Sequence, residues 1–518
     1  MRLGIDFGTT HTVVACADRG NYPVLSFQDE AGDAHDAIPS MVAEKDGELR
    51  FGFDALAVEH DESFTVVRSF KRWLAEGAAV PGRPVRIGSL ELPLGELLVG
   101  FLRHVREAVL ERSNLPADVR ATGTDDLRSV VAVPANAAGA QRFVTLDAFR
   151  AAGFVPVAML NEPSAAGFEY THRHRDTLSK KKDHVVVYDL GGGTFDASLV
   201  RMRGKSHEVV ATAGLDRLGG DDFDDVLVDL VLARADLRRE DVPEAALARL
   251  RRHCREAKER LGPSSKKLTI DMEEAVGELA NAAEVVVPVP EFYEACGPLV
   301  DRSIEAMVPV MTRLDAEGAE ASPEIAGVYV VGGASELPIV ARALRARFGR
   351  KVHRSPYPGA AIAIGLAIAC DEASGFELRD RFSRTFGVFR EGDAGRAIVF
   401  DPIFTPGTTL PPPAGEPVRI TRGYRAAHNV GHFRFAECSA MGEDGRPRGD
   451  LVVSGDILFP FAQDLPREDG LSEVAVERLA ARGPRVEEEY ALDDAGIVSV
   501  TIRDLDTKFE KVFRLGSV

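Results

Sequence analysis

The sequence predicts an α/β region followed by a smaller C-terminal β-sandwich. Up to about residue 370, short apolar runs typical of buried strands alternate with longer segments of helical periodicity. From about residue 385 helical periodicity nearly vanishes, and short β-like runs alternate with clusters of turn residues. Two glycine-rich loops in the first region have matching sequences, and each follows an apolar run. They indicate a repeated structural feature with a shared chemical role.

The matching loops are Gly4-Ile-Asp-Phe-Gly-Thr-Thr-His-Thr12 and Val187-Tyr-Asp-Leu-Gly-Gly-Gly-Thr-Phe-Asp196. In each loop an aspartate, Asp6 or Asp189, precedes a glycine by two residues, and hydroxyl side chains follow. Glycine lets backbone N–H groups approach phosphate oxygens, hydroxyls add hydrogen bonds, and a carboxylate can hold a hydrated Mg²⁺. One such loop alone is equally well explained as a tight turn between strands. The repeat favours nucleotide binding, with two loops that grip one triphosphate from opposite sides.

Composition limits the class of protein. The formal net charge of −18 argues against non-specific nucleic-acid binding, because phosphate backbones demand a basic surface. The N-terminus shows no apolar signal region and no stretch approaches the length of a membrane span, so we expect a cytoplasmic protein without membrane contact. The five cysteines are scattered and form no Cys-x-x-Cys pair, which predicts buried reduced thiols.

The elements of the first region follow from its apolar runs and their breakers. Val130–Val133 is predicted to be a buried strand, Ala137–Ala152 a helix, and Pro163 the beginning of another helix, where its missing N–H costs little. Residues 221–318 are predicted to be mostly helical, and Gly332-Gly333 is a third turn compatible with phosphate. The other predicted strands are Val155–Met159, Val185–Tyr188, Phe195–Val200 and Val328–Val331, and the other predicted helices are Asp224–Arg238, Glu244–Leu261 and one beginning near Pro338.

The C-terminal region, residues 385–518, is predicted to be a β-sandwich. Turn residues such as Pro411-Pro-Pro-Ala-Gly415 and Gly442-Glu-Asp-Gly445 separate its β-like runs. The charged segment 371–384 lies between the two regions and is predicted to be a linker. The β-like runs are Ala397–Phe400, Gly431–Glu437, Asp456–Pro460, Ser472–Val476, Gly496–Arg503 and Lys508–Phe513.

Several motifs agree in order and spacing with those of DnaK-type chaperones, so residues 1–370 resemble the nucleotide-binding domain of the seventy-kilodalton heat-shock protein family. Beside the two loops, the motifs are Val133-Pro134 with Arg142, Asn161-Glu-Pro-Ser-Ala-Ala166, Gly219-Gly-Asp-Asp-Phe223 and Gly332-Gly333. The resemblance implies an α/β fold of two actin-like lobes around an ATP cleft. Actins and sugar kinases share that fold, so the lobes alone do not separate these classes.

The C-terminal region distinguishes a DnaK-type chaperone from actins and sugar kinases. Phe404-Thr-Pro-Gly-Thr-Thr-Leu-Pro411 resembles the beginning of the family's peptide-binding sandwich, and Asp494-Ala-Gly-Ile-Val-Ser-Val-Thr-Ile-Arg-Asp504 resembles its closing strand. Neither actins nor sugar kinases carry this module. In the family an extended peptide is held there by backbone hydrogen bonds and an apolar pocket. Phe400 falls at a pocket position, and Phe433 and Phe435 are candidates to join it, with ordinary sandwich core as the alternative for all three.

The resemblance also implies roles for single residues and for ligands. It implies Mg²⁺ near Asp6 and Asp189, interdomain signalling through Pro134 and Arg142, and catalytic roles for Glu162, Asp189, Thr194 and Asp196. The implied nucleotide-binding residues are Thr9, Thr10, His11, Gly191, Gly192, Gly193, Thr194, Gly219, Gly220, Lys258, Gly332, Gly333 and Ala334. The implied cofactors are ATP or ADP with Mg²⁺, and K⁺ as a further ion. The implied partners are unfolded or extended polypeptide, a J-domain co-chaperone and a nucleotide exchange factor, with neither nucleic acid nor membrane.

Departures from the family pattern matter as much. The family's catalytic lysine position is Leu56 here, and no lysine occurs between Lys45 and Lys71. Because losing one preorganised cation typically costs about 10²–10³ in rate, we expect slow or absent ATP hydrolysis. Other nearby cations in sequence are Arg68, Lys71 and Arg72. Around the adenosine, Arg255, Glu259 and Glu336 stand where the family prefers a glutamate and two arginines, which leaves base selectivity open.

The linker Glu377-Leu-Arg-Asp-Arg-Phe382 is charged where the family's is leucine-rich, and the chain ends at Val518 without the family's helical lid, so we expect weak interdomain coupling. Three functions remain open at this point. The sandwich favours a chaperone that binds ATP and peptide with slow turnover. Leu56, the charged linker and the missing lid favour a nucleotide-binding scaffold or regulator. A kinase or filament-forming actin relative is disfavoured by the C-terminal region.

Overall fold

The computed structural model describes residues 1–74, 81–117, 126–174, 177–203, 206–215, 217–279, 282–312, 324–375, 377–378, 380–467, 470–480 and 482–516. The chain divides by its contacts into two compact units. Unit 1 comprises Met1–Ala165, Lys205–Val210 and Ala363–Val518, and unit 2 comprises Ala166–Gly204 and Ala211–Ile362. Unit 1 therefore includes the C-terminal sandwich, whereas the boundaries that the sequence suggests lie at residues 370 and 384. Residues 376 and 379 of the linker segment lie outside the described residues.

A mixed five-stranded sheet lies at the centre of the first part of unit 1. Its strands, in order across the sheet, are Val155–Asn161, Arg128–Val133, Arg2–Phe7, His11–Cys16 and Ile38–Pro39. The first three are parallel and the remaining pairs are antiparallel. Burial of nearly every residue in the central strand explains why its sequence is a continuous apolar run rather than an alternation.

Helices cover this sheet. Leu94–Glu107 buries positions 94, 97, 98, 101, 102 and 105, the spacing of a one-sided apolar stripe. The other α-helices that lie in or begin in unit 1 are Gly52–Leu56, Gly139–Ala151 and Glu162–Arg173, while most of Ala361–Cys370 also belongs to it. Smaller antiparallel pairs and sheets are formed by Phe27–Gln28 with Ala34–His35, by Glu48–Phe51, Met41–Lys45 and Thr65–Arg68, and by Pro84–Ile87 with Leu90–Pro93.

Two glycines allow the helix Ala361–Cys370 to lie directly against neighbouring backbone. A Cβ at Gly4 would be 2.2 Å from the backbone nitrogen of Ala367, and a Cβ at Gly365 would be 1.8 Å from the carbonyl oxygen of Ala165. The helix therefore packs without side chains between it and the strand that leads into the first of the two matching loops. These loops, Gly4–Thr12 and Val187–Asp196, are called the first and the second phosphate loop below. Close packing of this kind fixes the loop and the segment that carries Glu162.

The C-terminal part of unit 1 is a sandwich of two four-stranded antiparallel sheets, as the sequence predicts. One sheet has the order Ala397–Phe404, Thr385–Gly392, Val430–Met441 and Pro447–Pro460, and the other Val418–Arg425, Arg485–Leu492, Val498–Asp504 and Phe509–Arg514. One predicted strand is wrong, because Ser472–Val476 begins within a 3-10 turn, Leu471–Glu473, and forms no strand. This segment contains too few apolar residues for its sequence to distinguish the alternation of a strand from a turn that buries one side chain.

Unit 2 is built on the strands Val352–Arg354, Ile325–Val331, His184–Leu190 and Phe195–Arg203, in that order across the sheet. Its α-helices are Gly220–Arg234, Glu244–Glu259, Met272–Val276, Val289–Thr312 and Pro338–Phe348. The mostly helical prediction for residues 221–318 misses an antiparallel pair, Lys267–Asp271 with Glu284–Pro288. Both strands alternate buried and exposed residues, the period-two pattern of a half-buried strand.

The strand Ser206–Leu215 crosses the boundary of the two units in sequence, and its first two residues pair in parallel with Glu377–Leu378 of the linker segment. All five cysteines are free and buried, as the sequence predicts. None of the helices in the described part of the chain combines the length and hydropathy needed to cross a membrane.

Candidate functional site

The first phosphate loop turns tightly between the first two strands of the chain. A Cβ at Gly8 would lie 2.3 Å from the carbonyl oxygen of His11, so this turn requires glycine. Ser40 fastens the loop, because its hydroxyl donates to the Gly8 carbonyl at 2.9 Å and its backbone N–H donates to the Thr10 carbonyl at 2.9 Å. Thr9 and Thr10 are half-buried and His11 is exposed. The loop is therefore held rigidly while its polar side chains stay accessible.

Two carboxylates and an ammonium group gather beside this loop. Lys71 Nζ lies 3.4 Å from Glu162 Oε1, and the Lys71 side chain is 7% exposed. Burial, together with the negative charge of Glu162, raises the pKa of Asp6 to about 7, and the charge of Lys71 opposes that rise. Two carboxyl groups share one ammonium in this buried cluster, so a bound cation would stabilise their ionised forms. The sequence gives Lys71 only as one of three nearby cations, and no motif marks it.

The donor chemistry at the two aspartates fits Mg²⁺. Asp6 is the penultimate residue of its strand, and Asp189 and Asp196 face each other as a cross-strand pair in unit 2. All three carboxylate residues are nine-tenths or more buried. Mg²⁺ is usually bound through one or two carboxylates together with waters and phosphate oxygens, so each of these carboxylates by itself has the chemistry of an Mg²⁺ ligand.

Three glycine turns meet in unit 2. Gly191 N–H donates to the Thr194 carbonyl at 3.0 Å, which closes the second phosphate loop, and Gly220 N–H donates to the Gly191 carbonyl at 3.0 Å. A Cβ at Gly219 would be 2.5 Å from the Gly193 nitrogen. Gly332 has a positive φ of 85°, and a Cβ there would be 2.4 Å from Asp189 Oδ1. The structure thus brings together the turns that the sequence predicts to bind nucleotide in this unit.

The remaining predicted nucleotide residues of unit 2 surround these turns. Gly192 accepts a hydrogen bond from Asp221 N–H at 2.8 Å, so this loop and the turn at Gly219 form one continuous backbone surface. Gly333 and Ala334 begin a 3-10 turn directly after Gly332, with Gly333 exposed and Ala334 buried. Backbone N–H groups in such turns are suited to bind phosphate oxygens.

Lys258 is anchored by a buried carboxylate that the sequence analysis missed. Its Nζ donates to the Gly220 carbonyl at 2.7 Å and lies 2.6 Å from Asp224 Oδ1. Arg255 also pairs with Asp224, at 3.1 Å, and with Asp221, at 3.3 Å. Burial raises the pKa of Asp224, and both cations oppose the rise. The acidic run after Gly220 is the only sequence signal for this network.

Three positions at which the sequence departs from the family pattern are Glu259, Glu336 and Leu56. Glu259 and Glu336 are exposed at the ends of their elements. Leu56 packs against a small apolar cluster of Met41, Ala43 and Ala55. Position 56 therefore adds to the packing of a hydrophobic cluster and carries no charge.

A buried polar chain links Glu162 to the linker segment. Asn161, the residue before Glu162, donates from Nδ2 to Asp380 Oδ2 at 2.6 Å and accepts from Arg142 Nη2 at 2.5 Å. Arg142 Nη1 donates to the Ala495 carbonyl of the sandwich at 3.2 Å. Burial lowers the pKa of Arg142, and the charge of Asp380 opposes this effect. Arg142 thus contacts both the neighbour of Glu162 and the sandwich.

Pro134 lies at the end of the strand Arg128–Val133, where its carbonyl accepts a hydrogen bond from Ala137 N–H at 3.0 Å. This turn leads into the helix Gly139–Ala151, which carries Arg142. A second sandwich residue meets the beginning of that helix, because Gly139 N–H donates to both carboxylate oxygens of Glu437, at 3.1 and 3.2 Å. No motif in the sequence marks Glu437.

The three predicted peptide-site phenylalanines do not lie together. Phe433 and Phe435 belong to the core between the two sandwich sheets, where their rings stack at 6.2 Å. Phe400 packs with Ala436, Cys438, Phe389 and Met441 in a separate cluster. Strand alternation explains the separation, because Phe400 pairs with Phe389 and Phe389 pairs with Arg434, which puts Phe400 on the face of the sheet opposite to Phe433 and Phe435.

Comparison with known families agrees with this geometry. The protein-family model with the description Hsp70 protein matches residues 110–394, more than half of the chain. The matched segment contains Arg142, Glu162, the second phosphate loop, Lys258 and the Gly332 turn. The first phosphate loop precedes the matched residues, and most of the sandwich follows them.

Proposed function

Because the chain belongs to the Hsp70 family, we propose that it is an ATP-binding molecular chaperone that holds extended segments of unfolded polypeptides, with slow ATP hydrolysis and weak interdomain coupling. Family membership gives a chaperone and ATP-binding role in general. The carrying observation is the meeting of three glycine turns in unit 2, at Gly191–Thr194, Gly219–Gly220 and Gly332. Glycine turns of this kind suit a polyphosphate ligand, because no side chain stands between their backbone N–H groups and the phosphate oxygens.

Each residue of the candidate site has a proposed role in ATP binding or hydrolysis. When bound, ATP with Mg²⁺ supplies the phosphoryl group and the divalent charge. In unit 1, Asp6 would hold hydrated metal and Thr9 and Thr10 would donate hydroxyl hydrogen bonds to phosphate oxygens. In unit 2, Asp189 and Thr194 would do the same. Glu162 orients a water molecule and accepts its proton, since a buried carboxylate beside the phosphate loop is placed for general base catalysis.

Slow hydrolysis rests on Leu56. The family's lysine at this position contributes positive charge to the transferring phosphoryl group, and Leu56 instead packs against Met41, Ala43 and Ala55. Losing such a cation costs about 10²–10³ in rate where no other cation replaces it. Fast single-turnover hydrolysis would show that another cation does this work, and Lys71, 3.4 Å from Glu162, is then the candidate. The proposal also includes a cytoplasmic location, and a J-domain co-chaperone and a nucleotide exchange factor as partners, which family membership supports.

Peptide binding is supported by an exposed apolar edge in the sandwich. The strand Ala397–Phe404 forms the edge of its sheet, where Ile398 is 68% exposed and Val399 47% exposed. An edge strand offers unpaired backbone groups to an extended chain, and apolar side chains beside them add affinity. Phe400 lies in the same strand and keeps its ring against Phe389, at a centroid distance of 5.2 Å.

The second candidate function is a scaffold or regulatory protein that binds nucleotide with little or no hydrolysis. It is favoured by the buried contacts that join the sandwich to the rest of unit 1, in particular Glu437 with Gly139 and Ala495 with Arg142. Breaking such contacts during each cycle would expose a buried carboxylate and a buried guanidinium. Both candidate functions predict weak coupling between nucleotide binding and the sandwich. Nucleotide binding could change the sandwich only by supplying enough differential affinity to break these contacts.

We expect a labelled extended apolar peptide to bind weakly, with ATP changing its affinity less than tenfold, below about 1.4 kcal/mol of coupling. Fluorescence anisotropy with and without ATP measures this. Ile398→Lys should weaken binding, whereas Val512→Lys, an equally exposed position on an edge strand of the other sheet, should not. Release of the peptide by ATP with a change far above tenfold contradicts weak coupling. Absence of binding by any unfolded peptide favours the scaffold.

A further inference from the structure

A β-like run in the C-terminal region forms no strand and has no role in the site described above. Residues 474–479, called the strap below, follow the 3-10 turn Leu471–Glu473 and contain the apolar stretch Val474-Ala-Val476. Val476 is 53% exposed, and Ala475 is exposed too. The apolar stretch therefore gains little from burial, and hydrogen bonds hold the strap in place.

Backbone hydrogen bonds join the strap to the loop that connects the two sheets of the sandwich, residues 426–429, called the joining loop below. Leu479 N–H donates to the Ala427 carbonyl at 2.9 Å, and Asn429 N–H donates to the Glu477 carbonyl at 3.0 Å. Reciprocal bonds of this kind are the means by which a sheet or a peptide-binding site takes up an added extended chain. The strap thus occupies the joining loop as an extended ligand would.

The side chain of Asn429 strengthens this contact. Its Nδ2 donates to the Ala475 carbonyl at 3.0 Å, and its Oδ1 accepts from Glu477 N–H at 2.7 Å. A carboxamide offers both a donor and an acceptor, and here both meet backbone groups of the strap. Every extended polypeptide carries the same backbone groups, so this carboxamide can bind another chain in the place of the strap.

The strap also lies close to the turn that leads into the proposed peptide-binding edge strand, Ala397–Phe404. A Cβ at Gly395 in this turn would lie 3.2 Å from Arg478 Nη1 and 3.2 Å from Glu391 Oε2. His428 of the joining loop reaches the same carboxylate, with its Nε2 3.6 Å from Glu391 Oε1. The strap, the joining loop and this turn therefore come together around Glu391, beside the edge strand.

We propose that the strap is an internal competitor of the peptide ligand, because it occupies backbone partners that an extended polypeptide would bind. The inference rests on the proposed peptide binding. When the strap leaves, the Ala427 carbonyl and the N–H and carboxamide of Asn429 become available, and the incoming chain replaces the strap group for group. The ligand that fits is an extended segment of small apolar residues followed by charged ones, since the strap has that composition. Measured affinity is then the intrinsic affinity reduced to the fraction of molecules with the strap released.

A reversible disulfide in the whole chain tests the proposal. His428 and Arg478 form an antiparallel bridge between the two backbone bonds, and residues of such a non-hydrogen-bonded pair have Cα atoms about 4.5 Å apart, which suits a disulfide. In the double variant His428→Cys, Arg478→Cys, oxidation should lock the strap. Anisotropy of a labelled extended apolar peptide should then show binding weaker by about tenfold or more than after reduction. The unaltered protein, whose five cysteines are buried, should bind equally under both conditions.

A second pair of variants releases the strap instead of locking it. Glu477→Pro removes the N–H that donates to the Asn429 carboxamide and should tighten peptide binding about fivefold to tenfold. Glu443→Pro is the matched control, because it makes the same exchange at an exposed turn position where proline is tolerated. Its peptide affinity should be that of the unaltered protein.

Equal peptide affinity of the oxidised and the reduced double variant, with the disulfide verified by mass spectrometry, overturns the inference while peptide binding stands. So does a folded Glu477→Pro variant that binds no tighter than Glu443→Pro. Failure of the two introduced thiols to cross-link in the folded protein contradicts the contact between the strap and the joining loop. Absence of peptide binding by the unaltered protein, the reduced double variant and Glu477→Pro overturns both the inference and the proposed peptide binding.

Discussion

Arg384→Met should lower the free energy of unfolding by about 3–5 kcal/mol, the typical cost of removing one partner of a buried ion pair. The Arg384 side chain is 4% exposed, and its Nε lies 3.5 Å from Glu437 Oε2, which is itself 3% exposed. It also donates to the backbone carbonyl of Asn136 at 3.3 Å. Burial raises the pKa of Glu437 and the charges of Arg384 and Arg142 oppose that rise, so without Arg384 this buried carboxylate keeps only part of its compensation.

Denaturant unfolding of three variants checks this expectation. Arg396→Met is the matched control, because Arg396 is 76% exposed and pairs only across a turn with Asp393, so its loss should change stability by less than about 0.5 kcal/mol. Replacing Glu437 by Gln as well should recover part of the loss in Arg384→Met. A loss in Arg384→Met no larger than in the control would mean that the charge pair does not hold the sandwich in unit 1.

Gly365→Ala should destabilise the protein by about 3 kcal/mol, the upper part of the usual range for overpacking. Alanine in the middle of a helix normally adds about 1 kcal/mol of stability relative to glycine, so the sign is reversed here. The reason is steric: the new Cβ would lie 1.8 Å from the carbonyl oxygen of Ala165 and 2.5 Å from its carbonyl carbon. Backbone atoms cannot rotate away as a side chain can.

Gly359→Ala provides the comparison, because this glycine shortly precedes the same helix and an added Cβ would meet nothing within 4 Å. Its melting temperature should stay close to that of the unaltered protein, while that of Gly365→Ala falls by several degrees. If both variants melt alike, the helix Ala361–Cys370 does not lie directly on the neighbouring backbone. The displaced helix should also weaken nucleotide binding, since the same helix packs on Gly4.

Local chemistry explains which elements the sequence predicts well. The strands before Gly191 and Gly332 and the helix Gly139–Ala151 follow from short apolar runs and glycine turns. Those signals lie within a few residues of one another. The fold class and the family are therefore recoverable from the sequence, and the structure and the family match confirm them.

Long-range contacts explain what the sequence does not reveal. Lys71 and Glu162 are 91 positions apart, and Gly139 and Glu437 are 298 positions apart, so no spacing pattern connects either pair. The separation of Phe400 from Phe433 depends on which residues pair across the three strands Ala397–Phe404, Thr385–Gly392 and Val430–Met441, and the sequence does not show that pairing. Side-chain roles that depend on such contacts need the fold before they can be assigned.

The melting temperature with and without nucleotide tests the central claim, that this chain is an ATP-binding protein of the Hsp70 type, most directly. Millimolar ATP or ADP with Mg²⁺ should raise it, because a ligand at one hundred times its dissociation constant stabilises the folded state by about 2.7 kcal/mol. Removing Mg²⁺ with a chelator should reduce the shift, since the proposed site then holds the phosphate charge without a divalent cation to neutralise it. If neither nucleotide shifts the melting temperature at millimolar concentration, the assignment of the phosphate loops is wrong.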